Sequence, residues 1–450
     1  MKIIIIGVGK VGETLVANFI KEKHDVLVID INQERVNYIV NRYDVQGIVG
    51  NGLEKGAFNN AEIENADFVI ACTSRDEANI LSCVLARKLG AKHTIARVRD
   101  PEYFRGMENV REELGVDNFF NPELRAAEEI EEILKFPSAK NIENFADGRA
   151  RMVEFDVLDG NPIAGKSLME ISKDYGNKIL FGMVKRGEEI FIPRGDFVLK
   201  SGDSVRIIGA ESEIIVFTKK LKIYKSRAKS VFIIGGGKIA YYLSQKLLKG
   251  GVGVKIVEKD RDRAIELSKE LPDATVLLLD ATEQEALIEE GFSNSDACVC
   301  LTGIDEQNII LSLFAKEKNI GKVITKITRN NLFNMAKTLG LDTVVSPKDA
   351  IANHIIRSVR AKQTIAQSGI NNLYKIHEKV EALEFTVGED FDKTDQPIKN
   401  LKINKNALLG GIVRKEQFIL PSGETVLKRG DRVIIVTSLN NLTALSQIIG

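Results

Sequence analysis

Ile3-Ile4-Ile5-Ile6, running into Gly7-Val8-Gly9-Lys10-Val11-Gly12 and resuming as Val26-Leu27-Val28-Ile29-Asp30, decides the fold. A short continuous β-branched run reads as a strand buried on both faces. Gly7 lets the chain turn sharply at the strand's end. Gly9, without a Cβ, lets a pyrophosphate approach the main chain, and Gly12 lets the helix that starts near Lys10 pack against the strand. That helix presents unpaired N–H groups to phosphate. Asp30 ends the next strand 23 residues after Gly7 (30 − 7), where a carboxylate accepts hydrogen bonds from ribose hydroxyls. Strand, glycine turn, helix, strand and acid in this order point to a dinucleotide or adenine-nucleotide site rather than a plain tight turn.

The pattern occurs twice. Val231-Phe232-Ile233-Ile234 leads into Gly235-Gly236-Gly237-Lys238-Ile239-Ala240, and Val254-Lys255-Ile256-Val257 ends in Glu258. The offsets 235 − 7 and 258 − 30 are both 228; Thr73 with Thr302 and Asn79 with Asn308 give 229, and Gly202 with Gly430 gives 228. An offset this steady over half the chain is a tandem duplication.

Working outward, strands are expected at 45–49, 66–73, 93–98 and 117–120, with helices at 33–42, 76–89 and from Pro122 to Pro137. Strands and helices thus alternate as in a doubly wound parallel sheet. The helix at 76–89 carries a small apolar stripe, Ala78, Leu81, Leu85 and Leu89. Lys140 to Gly148 is polar and acidic and reads as a linker. A smaller β-rich module follows, with strands at 152–157, 179–184, 189–192 and 204–208 and a closing helix at 211–221; it is small enough to lean on a neighbour for stability. Its strands recur at 382–387, 408–413, 418–421 and 432–436. The expected organisation is α/β, with domains at 1–136, 149–221, 230–365 and 379–450.

The 63 basic and 63 acidic residues cancel, so no electrostatic argument points to nucleic acid or to an anionic membrane surface. The lysines from Lys219 through Lys225 to Lys229 read as a solvated linker. No run of apolar residues is long enough to span a membrane, and the N-terminal strand is too short for a signal peptide. Cys72, Cys83, Cys298 and Cys300 lack metal-ligand spacing and read as buried thiols in a reducing compartment. His24, His93, His354 and His377 are scattered over unrelated elements.

In the first crevice the backbone of Gly7, Val8, Gly9, Lys10, Val11 and Gly12 is expected to hold phosphate and Asp30 the ribose. Asn51, Thr73, Ser74 and Arg97 follow the third to fifth strands, and ligands of open α/β sheets bind beyond those carboxyl ends. Arg97 either reaches a phosphate or pairs with a carboxylate; Lys10 either contacts a terminal phosphate or stays solvated. The second crevice has Gly235, Gly236, Gly237, Lys238 and Ile239 with Glu258, Asp280, Thr302 and Lys326. There Ala240 replaces the third glycine, Glu258 replaces Asp30, Asp280 stands near the place of Asn51, and Lys326 replaces Arg97. A different nucleotide or affinity is expected, the alternative being a crevice kept only as scaffold. No repeated His, Tyr or Lys offers acid/base chemistry, so no catalytic residue and no metal site are expected, and the nucleotide reads as an effector.

These glycine turns and acids, with Asp76-Glu77-Ala78-Asn79, Ile95-Ala96-Arg97-Val98-Arg99-Asp100-Pro101-Glu102-Tyr103 and the tandem order, resemble the TrkA family, the peripheral KTN/RCK subunits of Trk potassium-uptake systems. The resemblance covers essentially the whole chain. It implies two Rossmann-like KTN/RCK N-terminal domains, each followed by a small α+β RCK C-terminal domain. It implies NAD(H), and in some members ATP or ADP, in the crevices. It also implies a homo-oligomeric ring, a tetramer, on the cytoplasmic face of the cell membrane, gating a membrane-embedded Trk-type potassium channel subunit. Ile351, Ile355 and Val359, spaced i, i+4, i+8 after Pro347, form a stripe suited to a partner surface in such a ring. Two other readings are a soluble NAD(P)-dependent oxidoreductase and a regulator of a different cation transporter.

Overall fold

The structure, a computed structural model, describes the chain except residues 137–138, 224–226, 342, 366–369, 378–379, 390, 440–441, 443 and 450. Pro137, Lys225 and the outer residues 379 and 450 of the last expected domain lie outside those described. The chain divides into two compact units, Met1–Glu131 with Ala228–Ile356, and Glu132–Arg227 with Arg357–Gly450.

The first unit holds two six-stranded parallel sheets. In one, β1 (Lys2–Ile6), β2 (Asp25–Asp30), β3 (Gln46–Val49), β4 (Phe68–Ala71), β5 (His93–Arg97) and β6 (Asn118–Phe120) lie in the order β3-β2-β1-β4-β5-β6. Parallel neighbours need crossovers. They are supplied by α1 (Lys10–Lys21), α2 (Gln33–Tyr43), α3 (Lys55–Asn60), α4 (Asp76–Lys88) and α5 (Pro101–Asn109), and α6 (Pro122–Lys135) follows β6. Order reverses between β1 and β4, so the glycine turn after β1 sits at the switch point where such sheets bind ligands. Ile3 to Ile6 are at most 2% exposed, and each such isoleucine contributes about 1.5–3 kcal/mol by leaving water.

Of the stripe on α4, Leu89 at the C-terminal end packs against the core. Leu81 and Leu85 are exposed, and the helix buries Asn79, Ser82, Cys83 and Ala86 instead. Small side chains let it lie close to the sheet, and Asn79 is there for its hydrogen bonds.

The second half of the unit repeats this layout.

The second unit opens, after the end of α6, on a strand. Ile142–Phe145, inside the stretch read as a linker, is strand β7, and it pairs antiparallel with β8 (Ala150–Asp156). Its apolar members are two, Ile142 and Phe145, too few for a strand pattern to stand out among polar neighbours. With β9 (Leu180–Arg186), β10 (Glu189–Phe191) and β11 (Ser204–Gly209) it forms the sheet β10-β9-β11-β8-β7. Two helices, α7 (Leu168–Tyr175) and α8 (Glu211–Lys220), complete this part, and Lys219 and Lys220 belong to the last turn of α8 rather than to a linker.

The repeated sheet of the first unit is built from β12 (Ser230–Ile234), β13 (Gly253–Glu258), β14 (Thr275–Leu278), β15 (Ala297–Cys300), β16 (Lys322–Lys326) and β17 (Val344–Val345), in the order β14-β13-β12-β15-β16-β17. Its helices are α9 (Lys238–Lys249), α10 (Arg261–Glu270), α11 (Gln284–Glu289), α12 (Asp305–Glu317), α13 (Asn330–Thr338) and α14 (Pro347–Ile365). Phe292 stacks on Phe314 at 5.5 Å between centroids beneath this sheet. On α14, Ile351, Ile355 and Val359 are buried within the chain itself, so the stripe is not an open surface for a partner.

The last strands are β18 (Ile370–His377), β19 (Val380–Thr386), β20 (Ala407–Arg414), β21 (Gln417–Ile419) and β22 (Arg432–Thr437), in the order β18-β19-β22-β20-β21. This is the order of the first small sheet with each strand in its repeat's place. The two sheets share one core: Phe145, Met152, Met183 and Ile208 pack with Ile376, Val380, Val413, Ile434 and Val436. Glycines permit the approach, since a Cβ on Gly410 would lie 2.7 Å from Ile208 Cδ1. The small module does lean on a neighbour, and the neighbour is its own repeat. In both copies an arginine grips a buried aspartate with a two-pronged fork: Arg186 on Asp203 at 2.7 and 2.8 Å, Arg414 on Asp431 at 2.8 and 2.7 Å.

Candidate functional site

At the end of β1, Gly7 takes φ +94°, and a Cβ there would lie 2.7 Å from the Thr73 amide nitrogen. Only glycine avoids both problems. Val8 and Val11 turn their side chains into the core, so the turn faces outward with its backbone. Gly9 has nothing within 4 Å of where a Cβ would be, which leaves an open cradle before the first turn of α1. At Gly12 a Cβ would sit 2.1 Å from the Gly7 carbonyl oxygen, so helix and strand meet there. Lys10 opens α1 and is exposed.

Asp30 is 9% exposed and holds the turn. Its Oδ2 accepts from the Val8 amide at 2.8 Å, and its Oδ1 accepts from the Asn32 amide at 2.9 Å. The acid expected to meet a ribose therefore also fixes the shape of the phosphate cradle. In the second crevice the longer Glu258 does the same: Gly236 N–H donates to Oε2 at 2.7 Å and Asp260 N–H to Oε1 at 2.9 Å. Gly235 has φ +98°, Gly237 is open like Gly9, and Ile239 is buried like Val11. Ala240, fully buried, carries the methyl that Gly12's geometry excludes.

Sequence reasoning missed the residues that hold the far wall. Asn79, fully buried, accepts from Thr73 N–H at 2.8 Å and Thr73 Oγ1 at 2.7 Å, and donates to the Thr73 and Arg97 carbonyls. Asn308 repeats all four bonds with Thr302 and Lys326. One turn earlier, Asp76 accepts from the Arg99 and Asp100 amides at 2.8 Å each, and Asp305 from Thr328 and Arg329. The signal was present, since Asn79 and Asn308 recur at the repeat offset, but a buried asparagine announces no partner from sequence.

Of the remaining expected residues, Ser74 is exposed beside Thr73, while Asn51 and Asp280 cap their own loops by accepting from Leu53 N–H and Thr282 N–H. The Thr282 amide and hydroxyl hold the Asp280 carboxyl below its usual pKa. Arg97 lies 3.8 Å from Glu123 Oε1, its Nε has no hydrogen-bond partner among the described residues, and burial lowers its pKa. Lys326 donates to the Leu301 carbonyl at 3.2 Å, and burial lowers its pKa too. Both cations therefore gain from an anion brought into the crevice.

The second crevice opens as a cavity of about 380 Å³ bounded by the glycine turn, Glu258, Asp260, Arg263 and Glu266. Arg263, another residue missed from sequence, lies over the turn, with Nε donating to the Gly236 carbonyl at 2.8 Å and Nη1 paired with Glu266 at 2.5 Å. All four cysteines are buried, and burial pushes the Cys72 thiol up to about 12, so it stays protonated under the cradle. Among the described residues no cluster could hold a metal ion, and no helix is long and apolar enough to cross a membrane.

The TrkA-N domain model matches residues 3–122 and 231–347, and the TrkA-C domain model residues 152–222 and 383–450. The chain is 32% identical over 449 residues to "Trk system potassium uptake protein TrkA homolog 1" of Methanosarcina mazei, covering 97% of each. It is 30% identical to the TrkA homolog of Archaeoglobus fulgidus across the full length of both. Among solved structures, "GsuK channel bound to NAD" superposes with TM-score 0.63 at 19% identity over 97% of this chain and 76% of that one, a likeness of fold. Two nucleotide-type sheets and two small antiparallel sheets, repeated in register along a single chain, make this protein a member of the TrkA family.

Proposed function

We propose that this chain is a regulatory subunit of a Trk-type potassium-uptake system, in which nucleotide bound at the two glycine-turn crevices sets the state of a membrane-embedded potassium-transporting subunit. The observation that carries the reading is the pair of preformed cradles, Val8 N–H on Asp30 and Gly236 N–H on Glu258, open at Gly9 and at Gly237. The relatives' names supply the potassium-uptake context. NAD(H) suits the crevices, since carboxylates at the ribose position accept from its hydroxyls and repel a 2′-phosphate; ATP and ADP fit the same cradle. The phosphate contacts fall to Gly7 through Gly12 and Gly235 through Ile239, with Arg97 and Lys326 drawn in by charge. Thr73, Ser74, Thr302, Asn51 and Asp280 would add contacts from the loops after β4, β15, β3 and β14.

The nucleotide is an effector and not a substrate, and the chain works as a homo-oligomeric ring on the cytoplasmic face of the membrane. A ligand shifts such a ring only by its difference in affinity for two states, typically about 1–3 kcal/mol. The test is co-reconstitution with the transporting subunit of the same system, measuring potassium flux as NADH, NAD⁺, ATP and ADP are varied. A flux that follows nucleotide concentration supports the reading. A flux indifferent to all four, or steady nicotinamide turnover by the protein alone, overturns it.

A further inference from the structure

The five side chains that bound the second cavity beyond its glycines are Lys238, Glu258, Asp260, Arg263 and Glu266, with a net charge of minus one. Each lies 228 residues after a counterpart in the first crevice: Lys10, Asp30, Asn32, Arg35 and Tyr38, with a net charge of plus one. The folds around them match. Asn32 and Asp260 both cap their helix by accepting from the amide of the arginine, at 3.0 and 2.9 Å. The acids both hold the turn amide. What differs is the availability of charge. Arg263 is latched to the Gly236 carbonyl and neutralised by Glu266, with Glu270 at 3.7 Å. Arg35 is exposed, and its guanidinium makes no ion pair among the described residues. Where Glu266 stands, the first half has Tyr38, whose ring is half exposed.

We infer that the two crevices sort nucleotides by charge. The first, with a free arginine and with the Glu13 carboxylate beside Tyr38 matched by Arg42 at 3.5 Å, takes the more anionic ligand, a nucleoside di- or triphosphate. The second, with Asp260 and Glu266 beside its cradle, takes the less anionic one, NAD⁺, whose nicotinamide cation offsets part of its pyrophosphate charge. This rests on the reading of both crevices as nucleotide sites and adds which ligand each prefers and which residues decide.

The two sites can be separated because Gly9 and Gly237 have open space where a side chain would grow and ordinary negative φ values of −68° and −70°. Gly9→Glu and Gly237→Glu each place a carboxylate in one cradle without a clash in the fold, and equal thermal midpoints check this. Calorimetry with ATP and with NAD⁺ is run on each full-length variant, and on Gly9→Glu carrying Asp260→Asn and Glu266→Tyr. The ratio of ATP to NAD⁺ affinity is expected to be about tenfold or more higher for the first crevice, a gap that narrows as salt rises from about 50 to about 500 mM and the Debye length shrinks. The added pair of substitutions is expected to move the second crevice toward the first. Ratios that agree within about twofold, or a pair of substitutions that leaves the ratio unmoved, overturn charge sorting while leaving the nucleotide sites standing. An unmutated chain that binds neither nucleotide overturns the sites themselves.

Discussion

Asn121 and Tyr242 are joined across the two halves of the first unit: Asn121 Nδ2 donates to the phenolic oxygen at 2.8 Å, and both residues are buried. The same asparagine caps α6 by accepting from Leu124 N–H and donates to the Arg99 carbonyl on the loop after β5. Tyr242 sits on α9, the helix that starts at the second glycine turn. One side chain thus ties a loop of the first crevice to the helix of the second. The counterpart of Tyr242 is Thr14, whose hydroxyl bonds within its own helix, so the link exists on one side only.

Burial pushes the Tyr242 hydroxyl well above the usual tyrosine range. Its folded pKa being raised, the stability it contributes is fully present below the unfolded value of about 10 and is lost as pH rises beyond that. In an alkaline titration followed at the phenolate absorbance, Tyr242 is expected to ionise last, after Tyr43, which burial and Glu13 also raise, and Tyr242→Phe to remove that last component. Loss of the hydrogen bond costs about 1 kcal/mol in thermal or urea unfolding.

At the first cradle, Gly12→Ala and Gly9→Ala are expected to separate stability from binding. The Gly12 methyl meets the Gly7 carbonyl at 2.1 Å and costs about 1–3 kcal/mol as an overpacked contact. Gly9→Ala meets nothing in the protein, keeps the thermal midpoint and weakens nucleotide. Unfolding curves and calorimetry on the two variants decide, and equal midpoints would sink the steric account.

With the second crevice blocked by Gly237→Glu, Asp30→Ala is expected to weaken NADH at the first about 10- to 100-fold, the loss of a charge-assisted hydrogen bond of about 1.5–3 kcal/mol. Because Asp30 also holds Val8 N–H, ATP is expected to weaken in the same variant, and NADPH to bind more weakly than NADH before mutation. Tighter NADPH than NADH in the unmutated chain contradicts this.

Asp203 is a fully buried carboxylate. Burial raises its pKa, but the Arg186 fork and the Lys200 amide outweigh burial and hold it below the usual carboxylate range. A depressed folded pKa contributes stability that is complete above the unfolded value of about 3.9 and is lost as pH falls through the folded value. Arg186→Lys loses the two-pronged grip and is expected to cost about 1–2 kcal/mol at pH 7. Asp203→Asn is expected to flatten the acid limb of the stability profile below about pH 5, read by urea unfolding at several pH values.

Glu384 is buried against Arg432 and accepts from the Ala146 amide at 2.9 Å, a bond between the two small sheets. Glu384→Ala leaves that amide unpaired and takes from Arg432 one of its two carboxylate partners, Asp147 remaining, at an expected cost of about 1–3 kcal/mol. Unfolding of the isolated variant with no loss of stability would refute the pairing.

What the sequence determined by itself was whatever is local or repeated. Two continuous β-branched strands, each ending in a glycine turn and followed at a fixed distance by an acid, needed only the backbone's steric rules to place the cradles. The steady offset then supplied the second glycine turn, its acid and the second set of small-module strands. The tertiary structure decided what depends on partners distant in the chain. It put Asp30 on the turn amide, Asn79 across two loops and Asn121 on Tyr242, because a buried polar atom must find a hydrogen bond wherever the fold brings one. It turned Leu81 and Leu85 outward and Ile351 and Ile355 inward, since apolar periodicity marks a helical face without saying what covers it. It made Ile142–Phe145 a strand, because a short edge strand is recruited by the neighbour it pairs with and not by its own composition. It also set Arg263 down on its own glycine turn while Arg35 stayed free, a difference that comes from Glu266 one helical turn away and that no motif encodes.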